Sequence, residues 1–143
     1  MSQAAYRAAA VTLMTECAAD ANVTLQVYKA RPASLYPPTG FIDGMGDEIG
    51  DHFGTTVFQH RPVIELVMVW GLFDSAEAVD QRDAWVDAFH EWVRVRFHAA
   101  GARSLIQVRS LTDVPDFVPN WVPEEQQRVY YATRITMGGD TTD

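Results

Sequence analysis

Seven apolar residues between Val63 and Trp70, interrupted only by Glu65, constrain this chain more than any other stretch. A strand with apolar side chains on both sides has to be covered on both faces, so the run demands a layered domain built around it. Gly71 permits a turn, and Asp74 with Glu77 has the spacing of a capping box, which predicts a helix starting there. Val79, Val86, Phe89, Val93 and Phe97 then recur at spacings that keep them on one stripe, with Trp85 and Trp92 at its flank. Asp80, Asp83, Asp87, His90 and Arg94 fall opposite, the bases Arg94, Arg96 and His98 gather late as the helix dipole favours, and Gly101 is the expected stop. Such a helix spans on the order of 36 Å at about 1.5 Å per residue, enough to cover a small sheet.

Upstream, Ser2 caps an expected first helix running to about Asp20, with Tyr6, Ala10, Leu13, Met14 and Cys17 on its inner side and Asn22 closing it. Val23, Leu25 and Val27 alternate with polar residues as a strand ending near Arg31. From Pro32 to Gly54, three prolines and five glycines break any period, so this segment reads as a long loop. Its Leu35, Tyr36, Phe41, Ile42, Met45, Ile49 and Phe53 are too apolar for simple disorder and need a surface, either the domain's own sheet or a neighbouring molecule. Thr55 to Phe58 reads as the return of the chain in the second strand, with Pro62 marking a bulge, an edge or a break before the central run, and Leu105 to Leu111 reads as the third strand. Pro115 to Pro123 reads as an extended strip carrying Phe117, Val118, Trp121 and Val122. Arg128 to Met137 alternates as a last strand, and Gly138 and Gly139 release a polar tail expected to be mobile.

The expected order is helix, strand, strand, helix, strand, strand. It gives an α+β fold: an antiparallel-rich sheet of about four strands with two helices on one face, in a single domain over 1–137 with 138–143 as the tail. The second face of the sheet then needs the long loops or another subunit. At 143 residues and 48% hydrophobic the chain is long enough to bury a core without staples. One cysteine, Cys17, rules out an internal disulfide and reads as a small core residue. The first residues lack a secretory pattern and no stretch is long enough to span a bilayer, so a cytoplasmic product without a membrane role is expected.

The net charge of −8 is localised. Asp43, Asp47, Glu48 and Asp51 occupy one segment without Lys or Arg, Asp113, Asp116, Glu124 and Glu125 another, and the remaining 11 acids match 11 bases. Acidic segments repel nucleic acid, whose binding needs clustered bases, although ordinary solvated loops also read this way. His52, His60, His90 and His98 have no metal-ligand spacing, and the acids of the first segment lack the ligand alternation of a calcium loop. Glu65, within the apolar run, invites an acid or base role if buried. The simpler reading is an ion pair with Arg128 or Arg134 from another strand. No nucleophile, base and anion hole accompany it, so no catalytic residue, no metal and no cofactor is expected, and the chain is read as a non-enzyme.

Leu25-Gln26-Val27-Tyr28-Lys29-Ala30-Arg31-Pro32, Pro62 to Ala88, and Val129-Tyr130-Tyr131-Ala132-Thr133-Arg134-Ile135 resemble the tail terminator proteins of long-tailed, non-contractile bacteriophages. The resemblance lies in order, size and strand–helix texture rather than in a catalytic motif. It implies a virion protein, assembled in the host cytoplasm, that forms a homo-hexameric ring at the head-proximal end of the tail. Such a ring stops polymerisation of the tail tube protein, joins the tail to a neck or head-completion protein, and lets DNA pass without specific binding. On this reading Leu35, Tyr36, Phe41, Ile42, Met45, Ile49, Phe53, Phe117 and Trp121 contact a subunit or the tube, and Asp43, Asp47, Glu48 and Asp51 are candidates to face the lumen. A head–tail connector or tube subunit is the near alternative, and a cytoplasmic ligand-binding or enzymatic domain the distant one.

Overall fold

A computed structural model of the chain describes residues 3–50, 59–97, 107–138 and 141–142. The first helix, α1 (Gln3–Ala21), buries Tyr6, Ala10, Leu13, Met14, Cys17 and Ala18, the side its spacing predicts. It ends as expected at Asn22 in the left-handed region, φ 57°. The Asn22 and Val23 amides donate to the carbonyls of Ala19 and Ala18 at 3.2 and 2.9 Å, the paired bonds of a Schellman motif. The second helix, α2 (Ala76–Phe97), starts one residue later than the Asp74 box implies, because Ser75 is its cap. The Ser75 hydroxyl accepts from the Ala78 amide at 3.2 Å. Ser2 and Gly101 lie outside the described residues.

The sheet is mixed, in the order β1 (Gln26–Tyr28), β2 (Thr39–Gly50), β3 (Gln59–Leu72), β5 (Tyr130–Gly138), β4 (Gln107–Phe117). β1 runs parallel to β2, and the other neighbours are antiparallel. The α+β class with two helices therefore stands, but the chain inserts one strand more before α2 than the sequence suggests. Residues 39–50, expected as loop, are a full strand paired along β3. The expected strand Thr55 to Phe58 lies outside the described residues. β4 continues through Pro115, which a register shift between Val114 and Phe117 on this edge strand accommodates. Within the expected tail, Thr141 and Thr142 form β6 (Thr141–Thr142), which pairs with His60 and Gln59 of β3.

Alternation along β3 sorts the core into two. Ile64, Leu66, Met68 and Trp70 join α1 and α2 in one cluster, while Val67 and Val69 join Leu35, Phe41, Phe117, Val122, Tyr130 and Ala132 in the other. Both helices thus lie on one face, as expected. The inner stripe of α2 is rotated from the expected one: Ala78, Trp85, Val86 and Phe89 are buried and Val79 is exposed. Trp85 is at the centre rather than the flank, stacked on Phe89 at 5.3 Å and tilted against Trp70 at 5.9 Å. Gly71 allows α2 to approach β3 this closely, since a Cβ there would lie 3.1 Å from that of Ala78.

A polar relay pins the same helix. The Trp70 indole donates to the Thr133 hydroxyl at 3.0 Å, which donates to Asp113 at 2.9 Å, and Arg82 of α2 donates to the same carboxylate at 3.1 Å. Asp113, an acid of a segment that carries no base in sequence, is therefore neutralised from α2.

Candidate functional site

The second face of the sheet is divided. At the end where β3 finishes, two connections cross it and pack on each other. The Trp121 ring meets Phe41 at 5.6 Å and Phe117 at 6.0 Å, both edge-on, and its indole donates to the Pro32 carbonyl at 2.9 Å. The Leu35 amide donates to the Gln126 side chain at 2.9 Å, so each connection supplies the other's missing hydrogen-bond partner. Leu35, Phe41 and Phe117 are buried here and Ile42 is buried toward the helices, with Met45 half-buried beside it. These expected interface residues are thus spent on the chain's own core, and Trp121 is half-buried with them. Tyr36 is different, at 64% exposed. Phe53 and the Ile49 side chain lie outside the described residues.

Next to this cover a bulge between Ile42 and Gly44 turns Asp43 onto the second face. Its carboxylate accepts from Arg31 at 2.6 Å and lies 3.9 Å from Arg134, while the Arg31 guanidinium rests 4.4 Å from the Trp121 ring centre. Asp43 is therefore a paired acid, its side chain only 11% exposed. The pair expected for Glu65 does not form. Glu65 stands opposite Gly44 and Thr136, Arg134 turns to Asp43, and Arg128 is exposed at the far end of β5. The side chains of Asp47 and Glu48 and the whole of Asp51 lie outside the described residues. Beyond Asp43 the face opens: Gly44, Val63, Glu65, Arg134 and Thr136 are half-buried and Gly46, Ser110 and Thr112 exposed.

A third feature combines residues of two separate connections, β3 to α2 and β4 to β5. At the end of the sheet, Leu72 pairs with Tyr130, the Phe73 amide donates to the Val129 carbonyl at 3.2 Å, and Val118 follows Phe117, itself opposite Tyr130. Leu72, Phe73, Val118 and Val129 are 39–60% exposed. Leu72 also lines an open cleft of about 320 Å³, together with Pro37, Pro38, Asp74, Ser75 and Glu77. Val118 and Val129 are visible in sequence only as members of the extended strip and the last strand, and nothing in their spacing joins them to Leu72 and Phe73.

Among the described residues no group of three or more His, Cys, Asp or Glu could hold a metal, and no helix is long and apolar enough to cross a membrane. Cys17 is buried in the helix-side core, where desolvation first and then Asp20 and Glu16 push its thiol up to about 12. No protein-family model matches the chain, and no curated protein matches its sequence.

Proposed function

We propose that this chain is a ring-forming structural subunit, the tail terminator of a long-tailed, non-contractile phage. The observation that carries the reading is the half-open second face of the sheet. Among the described residues the chain's own loops cover one half, and the other, around the half-buried Val63, Glu65 and Thr136, is a strand-built surface of mixed polarity suited to a neighbouring copy. The resemblance over Leu25 to Pro32, Pro62 to Ala88 and Val129 to Ile135 gives that copy its setting. It is a homo-hexameric ring between the tail tube protein and the neck, in the virion, with the excess of acids keeping DNA from sticking.

Electron microscopy of particles made after disruption of the gene tests this. Headless tails of uncontrolled length support a terminator. Tailless heads, or tails of normal length detached from heads, contradict it and point to a tube subunit or a connector. A catalytic or ligand-binding domain would leave particles unchanged.

A further inference from the structure

We infer that the end of the sheet formed by Leu72, Phe73, Val118 and Val129, with its neighbouring cleft, docks a protein segment that presents an apolar side chain flanked by lysine or arginine. The inference does not depend on the ring reading. Contiguity supplies the apolar half of the argument: register and hydrogen bonding bring Leu72 and Phe73 against Tyr130 and Val129, and Val118 follows Phe117, which pairs with the same Tyr130. Clustered exposure of this kind marks contact surfaces, whereas single exposed apolar residues are ordinary. Pro37, Pro38 and Leu72 give the cleft an apolar part to its lining.

Charge supplies the other half. Asp74 and Glu77 line the cleft, and Asp116, Glu124 and Glu125 are exposed on the β4–β5 side of this end; among the described residues the bases there are Arg128 and Arg31, and Arg31 is already paired with Asp43. A symmetric contact between two copies would set these carboxylates against their duplicates, which like-charge repulsion opposes. A basic-rimmed partner segment meets both the apolar row and its acidic border, and the acids also turn away a phosphate backbone.

The test is a titration of the isotope-labelled full chain, followed by backbone amide shifts, with three synthetic peptides of equal length. One carries a phenylalanine between lysines, one a phenylalanine between glutamates, and one lysines alone. Saturating shifts at Leu72, Phe73 and Val129 with the first peptide only are expected. Asp74→Asn with Glu77→Gln should weaken them roughly three- to tenfold, as expected for two exposed charge contacts. Phe73→Ser, at an exposed position that leaves the core signals in place, should abolish them. Equal response to the lysine-only peptide, shifts elsewhere, or none with any peptide would overturn the proposal. So would concentration-dependent shifts of the same amides without peptide, which would identify a second copy as the occupant.

Discussion

The two faces of the sheet are equally buried at their centres but built by different means. On the helix face, two periodic segments lay down Leu13, Met14, Trp85 and Phe89 by repetition, so many interchangeable apolar contacts share the work. On the other face, aperiodic connections achieve closure by a few specific ties, the Trp121 indole to Pro32 and the Leu35 amide to Gln126, with Arg31 laid over the Trp121 ring. The difference teaches that loop residues without a period can be core, provided their backbone groups find partners in another loop.

Trp85→Ala should have the largest effect, about 3–5 kcal/mol, since it removes a fully buried ring from between Trp70 and Phe89. Urea unfolding measures it. Phe41→Ala sharpens the comparison. If the loop-covered face is core of equal standing, the loss is again about 3–5 kcal/mol, and a loss below about 1 kcal/mol would show that the cover is loosely held. Trp121→Phe keeps an aromatic ring but leaves the Pro32 carbonyl without its donor, for about 1–2 kcal/mol by the same assay. Arg31→Met should cost least, under about 1 kcal/mol and less at high salt, because the Arg31 side chain is 49% exposed. On the helix face, Cys17 should resist thiol reagents at pH 8 until the chain unfolds, as burial and its raised pKa imply; rapid labelling of native protein would break that half of the comparison.

The helix face was legible because its code is periodic. The buried side of α1 and the central strand follow from spacing alone, and the α2 stripe was displaced only because valines outweighed tryptophan in the reading, leaving Val79 exposed and Trp85 central. β2 was not legible. Gly40, Gly44 and Gly46 interrupt its alternation and the Asp43 bulge shifts its phase, so the strand owes its existence to pairing with β3 rather than to local propensity. β4 runs past the expected end at Leu111 and takes in the start of the Pro115 strip, as an edge strand allows. Residue type was a poor guide to exposure as well: Leu35, Phe41 and Phe117 turn inward, while Leu72, Phe73 and Val129 are brought to the surface together by the fold.

Hydrogen exchange of the Trp121 indole N–H at low protein concentration, where no ring can form, tests most directly whether the second face is closed by the chain itself. The bond to Pro32 and the edge-on packing against Phe41 and Phe117 predict slow exchange already in the lone chain. Fast exchange that slows only when copies associate would mean that the loops close on assembly, and would return Leu35, Phe41 and Phe117 to the interface.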